Sequence, residues 1–326
     1  MLTIFSIPKP FRGHIGVIQN NAIRSWVRLC PEYEIILFGD EEGTAEIAAE
    51  LGVRYVPYVE RNEYGTPLMS SLYDSAQDVA SHEILCVVNA DIILLSDFCE
   101  AVEHARSRGS DPYLITGRRW NIDLQEHWDF SNADWEARLR AYAEKMCGQR
   151  KPAGLDYTIF PRGLLRNLPP FAVGRLSGGN WIVNKVLSQG VPVIDSTDVV
   201  TAIHQSHDYG HQQQLLGEEA TKADNRDPAK VYSVISKNIE AERNRELCGG
   251  ENPIVSPFDV TWVLTKNGYL KRPPLIGRVY LRMYRCNLAA PFFQVHPYRL
   301  LLRAVATLLR AFRSVRRKPG ARFLQA

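Results

Sequence analysis

The sequence predicts an α/β protein with a mostly parallel central sheet, helices on both faces, and a basic amphipathic C-terminal tail. Two patterns carry this reading. Over the first 120 residues, short apolar runs alternate with stretches of helical spacing, the signature of a sheet covered on both sides. Residues 271 to 326 then hold thirteen Lys or Arg and no Asp or Glu. At 326 residues, the chain is long enough for one large domain with additions or for two smaller ones.

In order, "LTIFSI" reads as a strand and "HIGVIQNNAIRSWVRL" as a helix with Ile15, Ile18, Ala22, Trp26 and Leu29 on one stripe. "YEIILFGD" is a strand ending in a turn, "TAEIAAELG" a short helix and "RYVPYV" a strand. A helix opened by Thr66-Pro67, the strand "EILCVV", a helix through "FCEAVEHARSR" and the strand "PYLITGR" complete the alternation. Further on, "NADWEARLRAYAEKMCG" is a capped helix and "KPAGLDYTIFPRG" a strand between turn residues. A Gly- and Pro-rich stretch leads into the helix "WIVNKVLSQG", and "VPVIDSTDVVTAIHQSHDYGH" reads as a strand followed by clustered histidines. The expected organisation is a domain over 1–215, a polar helical or loop extension over 216–270, and the basic tail over 271–326.

The net charge of +3 hides an asymmetry, because the first 270 residues carry 26 basic against 36 acidic groups. The six cysteines form no CxxC pair, which argues against a zinc knuckle and for reduced thiols in a cytosolic setting. The N-terminus lacks the basic leader and long apolar run of a signal peptide. No stretch reaches the ~18 apolar residues of a membrane-spanning helix.

Three features fall at strand ends, where such sheets bind ligands: Asp40 in "LFGD", Asp91 in "VVNAD", and His204, His207 and His211 in "AIHQSHDYGH". A carboxylate on one strand tip and an imidazole on another can share a divalent cation, and that cation can neutralise a diphosphate leaving group. Arg118 and Arg119 in "TGRRWN" follow the fifth strand, where guanidinium groups can hold phosphate or sugar. Asp156 in "GLDYTIF" stands at the mouth of another strand, a place for a general base that deprotonates an acceptor hydroxyl.

The order of strand, helix, "LFGD", and a hydrophobic strand ending in "NAD" before "IIL" resembles the nucleotide-sugar-binding domain of GT-A-type glycosyltransferases, over roughly residues 1 to 210. The resemblance implies that Asp91 is the metal- or diphosphate-contacting acid of a short acidic motif. Asn89 then fills the first position of that motif, where an Asp is more usual. It further implies His204, with His207 as close competitor, as a metal ligand. Asp40 becomes the acid near the nucleoside base, and Lys9 a donor contact in the loop after the first strand. The implied cofactor is a divalent cation, Mn2+ or Mg2+. Many inverting members carry a carboxylate at the start of the helix after the glycine-rich loop; "RLSGGNWIV" offers Gly178, Gly179 and Asn180 instead.

On a helical wheel at about 100° per residue, Arg299, Arg303, Arg310, Arg313 and Arg317 form one face of the tail, and Leu301, Leu302, Val305, Leu308, Leu309, Phe312 and Val315 the other. That pattern belongs to a helix lying in a membrane interface, with packing on the protein's own acidic body as the alternative. So leucine-rich an apolar face does not suit nucleic acid. The expectation is a metal-assisted glycosyltransferase at the cytoplasmic face of a membrane, taking a nucleotide-diphosphate sugar and passing the sugar to a glycan or lipid-linked acceptor, with an anionic membrane surface as partner. A non-catalytic sugar-nucleotide-binding relative is the alternative. A sugar nucleotidyltransferase fits less well, because "SIPKPFRGHIG" lacks the glycine run that holds a triphosphate.

Overall fold

The apolar runs assemble around a nine-stranded sheet in a computed structural model that describes residues 1–107, 111–147, 156–175, 177–207, 238–249, 260–265 and 270–271. The first half runs β1 (Thr3–Ser6), α1 (Gly13–Val27), β2 (Glu34–Phe38), α2 (Thr44–Leu51), β3 (Arg54–Val56), α3 (Met69–Val79), β4 (Ile84–Val88), β5 (Ile92–Leu94) and α4 (Asp97–Ser107). Then come β6 (Leu114–Thr116), β7 (Arg119–Ile122), α5 (Trp135–Cys147), β8 (Tyr157–Pro161), α6 (Gly178–Ser188), β9 (Val193–Asp195) and β10 (Ala202–Gln205). A helix that we label α7 (Ile239–Leu247) and strands β11 (Trp262–Leu264) and β12 (Leu270–Lys271) follow. The chain divides into two compact units, Met1–Pro273 and Pro274–Ala326. The second unit holds all but two basic residues of the expected tail, and it lies outside the described residues, as does His211.

The sheet order is β12-β11-β9-β6-β8-β4-β1-β2-β3. Pairing is parallel except where β8 runs antiparallel between β4 and β6 and β12 antiparallel to β11. The expected fold class, a mostly parallel sheet with helices, is therefore the one observed. The carboxyl ends of β1, β2, β4 and β6 share one edge of the sheet, and β8 starts at that same edge.

One side of the central strands is aromatic: the buried Phe5 ring meets Phe38, Tyr73 and Phe160 edge-on, with centroids 6.2, 5.5 and 6.3 Å away. Each such pair contributes about 0.5–1.5 kcal/mol beyond its buried area. The other side packs Ile4, Leu37 and Cys86 against Ala22, Ile23 and Trp26 of α1.

A second, three-stranded sheet, β5-β10-β7, was not expected. In it β10 pairs antiparallel with β5 and parallel with β7. Ile92 and Leu94 join the main core while Ile93 and Leu95 join a second cluster with Ile122, Leu139 and Ile203. Alternate side chains thus enter two cores, which is why "IILL" is apolar without a break.

Three local expectations differ from the structure. Helix α3 starts at Met69, not at Thr66-Pro67, because Pro67 and Leu68 are extended and bridge Arg61 and Ala172. Arg119–Ile122, for which no strand was expected, forms strand β7. "VPVIDSTDVVTAIH" is two strands in different sheets, β9 and β10, joined by a turn. Among the described residues no helix is long and apolar enough to cross a membrane.

Candidate functional site

The break at Asn89-Ala90-Asp91 is where the chain leaves one sheet for the other. Strand β4 ends at Val88, β5 begins at Ile92, and the Ile92 amide donates to the Asn89 carbonyl at 3.1 Å to close the turn. Ser6 at the tip of β1 donates its hydroxyl to the Val88 carbonyl at 2.6 Å, fixing the start of the turn. Buried Gln205 fixes its end. The Gln205 backbone and side-chain N–H groups both donate to the Asp91 carbonyl, at 3.2 and 3.3 Å, and its amide also meets the Ile18 carbonyl and Asn21. The Trp26 indole N–H donates to the Ile92 carbonyl at 2.8 Å.

Strand β10 brings the imidazoles. His204 pairs in register with Ile92 of β5 and Asn121 of β7, and its Nε2 lies 3.6 Å from Asp91 Oδ2. His207, just past the strand, places its Nε2 3.1 Å from the same oxygen. One ligand atom from each of Asp91, His204 and His207 lies within 4.8 Å of the others, so both candidate histidines are at the site. Burial alone would raise the Asp91 carboxyl, but His204 and His207 outweigh it and hold it well below the usual carboxylate range. Asp91 Oδ1 and His204 Nδ1 are buried with no hydrogen-bond partner among the described residues. A carboxylate, two imidazoles and an unmatched buried oxygen fit a divalent cation.

The site continues into β8. Asp156 precedes Tyr157, which pairs with Val88, and so stands opposite Asn89. The Asn89 backbone N–H donates to the Asp156 carbonyl at 2.9 Å and its side-chain amide to Asp156 Oδ1 at 3.0 Å. Arg119 of β7 pairs with the same Oδ1, while its Nε donates to Asn121 Oδ1 two residues on, along the same strand face. Burial drives the Asp156 carboxyl above its ordinary value; Arg119 and His204 pull against this, and Asp91 adds to it. Asp156 Oδ2 is buried without a partner among the described residues.

The other expected residues follow strands that end at the same sheet edge. Lys9 follows β1, and its backbone is clamped by Gln19, which accepts from the Lys9 N–H at 2.6 Å and donates to its carbonyl at 2.8 Å. Asp40 follows β2, is 70% exposed, and pairs with Arg61 at 2.6 Å, whose hydrogen bond lowers its pKa. Arg118 follows β6, and its amide donates to Thr197 Oγ1 at 2.9 Å. At the glycine-rich loop, a Cβ on Gly178 would stand 2.6 Å from Met69 Sδ, whereas one on Gly179 would meet nothing within 4 Å. Space therefore explains Gly178 but does not explain the lack of a carboxylate at 179.

Arg119, grouped with Arg118 as a phosphate or sugar contact, pairs with Asp156, a contact set by strand register, and two residues of this region escaped the sequence reading. Gln205 pins Asp91. His14 of α1 places its Nε2 3.2 Å from the Ser206 carbonyl, beside His207, with its Nδ1 buried and without a partner.

No protein-family model matches the sequence, and no curated protein matches it. Solved structures do. A mannosyltransferase from Pyrobaculum calidifontis in complex with GDP-Man and Mn2+ is similar at 13% identity, with a TM-score of 0.44 over 94% of this chain and 79% of that one. S. aureus TarS 1-349 in complex with UDP-GlcNAc is similar at 12% identity and a TM-score of 0.42, covering 76% of this chain and 70% of that one. Glucosyl-3-phosphoglycerate synthase from Mycobacterium tuberculosis in complex with Mn2+, UDP and phosphoglyceric acid is similar at 15% identity and a TM-score of 0.38, covering 73% and 78%.

Proposed function

We propose that this protein transfers a sugar from a nucleotide-diphosphate donor to a hydroxyl of a glycan or lipid-linked acceptor, with a divalent cation held by Asp91, His204 and His207. The single observation that carries the reading is the convergence of these three side chains at the carboxyl edge of a mostly parallel sheet. The order of sequence motifs resembling GT-A-type glycosyltransferases points the same way. A cation there supplies positive charge for a departing diphosphate. Two imidazoles beside one carboxylate favour Mn2+ over Mg2+, which prefers oxygen ligands.

The protein's own groups have separable tasks in this reading. Asp91, held ionised, is the anionic ligand; Gln205 and the Asn89 turn fix its direction. Lys9, Arg118 and Asp40 ring the same edge, where the donor's phosphates, sugar and base would lie; Asp40 is already balanced by Arg61. Asn89, exposed at the tip, offers an amide to the donor side. Asp156 is almost fully enclosed and spends one oxygen on Arg119 and Asn89. A bulky acceptor cannot reach a base so placed without rearrangement, so we assign Asp156 below to the cation rather than to the acceptor proton. The basic tail is the part we assign to an anionic membrane surface at the cytoplasmic face.

The test is release of nucleoside diphosphate from a panel of UDP- and GDP-sugars in the presence of Mn2+ or a chelator. Turnover of at least one donor with Mn2+ and none with chelator is the expected result. Binding without turnover of any donor across a range of glycan and lipid-linked acceptors would instead mark a non-catalytic sugar-nucleotide-binding protein.

A further inference from the structure

Asn89 stands where a motif of the kind Asp91 belongs to usually has an acid, and the structure gives a positive reason for the amide. Its Nδ2 donates to Asp156 Oδ1 at 3.0 Å while its backbone N–H holds the Asp156 carbonyl at 2.9 Å. An Asp at 89 has no side-chain N–H, and it would set carboxylate against carboxylate at that distance. The residue is therefore fitted to a second acid that stands just before strand β8.

That second acid is oriented but incompletely satisfied. Arg119 and Asn89 both spend themselves on Oδ1, and the side chain is only 7% exposed. Its Oδ2 is buried with no partner among the described residues, as is Asp91 Oδ1 across the turn. Two unmatched carboxylate oxygens in one enclosed site are costly unless something positive or proton-donating completes them. Asp156 stands outside the set of Asp91, His204 and His207, whose ligand atoms lie within 4.8 Å of one another, so a water ligand is the natural bridge between it and a shared cation.

We propose that Asp156 is the second carboxylate of the cation centre, accepting hydrogen bonds from the cation's water ligands through Oδ2, and that Asn89 is a positioning residue that holds it there. The inference rests on the reading that Asp91, His204 and His207 hold a cation. In this arrangement Arg119 balances the extra negative charge and fixes the other oxygen, Oδ1. The acidic pair of the centre is Asp91, in the turn after β4, with Asp156, just before β8, instead of two acids from one short motif.

The experiment is Mn2+ binding to the full chain without nucleotide, read as free Mn2+ by electron paramagnetic resonance. Asp91→Asn is expected to abolish binding. Asp156→Asn is expected to weaken it about tenfold or more, the usual effect of losing a partner of the metal's ligands. Asn89→Ala is expected to weaken it in the same direction, and to add nothing in the Asp156→Asn background. Asn89 is uncharged, so a purely electrostatic role for Asp156 would leave Asn89→Ala at wild-type affinity and overturn the positioning part. If Asp91→Asn abolishes binding while Asp156→Asn and Asn89→Ala both bind as wild type, the proposal is wrong and the cation reading stands. If the wild-type chain binds no Mn2+, the cation reading itself falls, and this inference with it. Should Asp156→Asn not fold, Asn89→Ala at its exposed position decides alone.

Discussion

A largely buried carboxylate costs several kcal/mol if left alone, and Asp91 meets that cost with two imidazoles on one oxygen. The same logic governs its neighbours. Asn89 and Arg119 share one oxygen of Asp156, so the turn after β4 and the start of β8 are held together by polar contacts at their tips. This gives Asn89→Asp a definite outcome. With a chelator present it should lower stability by about 1 kcal/mol through loss of the donor and like-charge contact, read as a drop of about 2–4 °C in Tm. Added Mn2+ should recover part of the loss. An unchanged Tm would show that the amide makes no net contribution.

Among the elements, the buried pair of Glu240 on α7 with Arg175 has the largest expected effect. Glu240 is 1% exposed, lies 2.8 Å from Arg175, and accepts from Asn62; Asn244 on the same helix holds the Ala172 amide. Burial raises the Glu240 carboxyl, but the hydrogen bonds of Asn62 and Thr66 and the charge of Arg175 outweigh it, so its pKa is lowered. A lowered pKa means the contribution is complete above the ordinary glutamate value of about 4.3 and is lost as pH falls through the lower folded value. Glu240→Gln should destabilise the docking of α7 by about 3–5 kcal/mol, because it strands the Arg175 charge. Hydrogen exchange of the 239–247 amides is the readout, and protection equal to wild type at neutral pH would refute the assignment.

Elements also show what could be read in advance. The strands and helices of the first 120 residues were legible because their apolar spacing is local. The second sheet was not, because β5, β7 and β10 pair across long sequence separations and each is only three or four residues long. Asp91, His204 and His207 were legible as residue types at strand tips. The link from Asn89 to Asp156 spans 67 residues, and the choice of Arg119 over Arg118 depends on strand register, so neither leaves a local signal.

At the scale of the whole molecule, the sheet gathers Lys9, Asp40, Asn89, Asp91 and Arg118 onto one edge from widely spaced segments, and the second sheet delivers His204 to the same place. The basic tail supplies the expected route to a membrane, at up to about 1 kcal/mol per basic residue near an anionic surface. Deleting residues 271–326 should abolish cosedimentation with phosphatidylserine vesicles at low salt; sedimentation equal to that of the full chain would refute the membrane role. The central claim is that the Asp91, His204 and His207 cluster holds a cation that engages a diphosphate. Titration calorimetry of UDP and GDP, with Mn2+ and with chelator, tests it most directly. The account predicts binding of at least one nucleotide that requires Mn2+ and disappears in Asp91→Asn; nucleotide binding that is equal with chelator, or absent under both conditions, would contradict it.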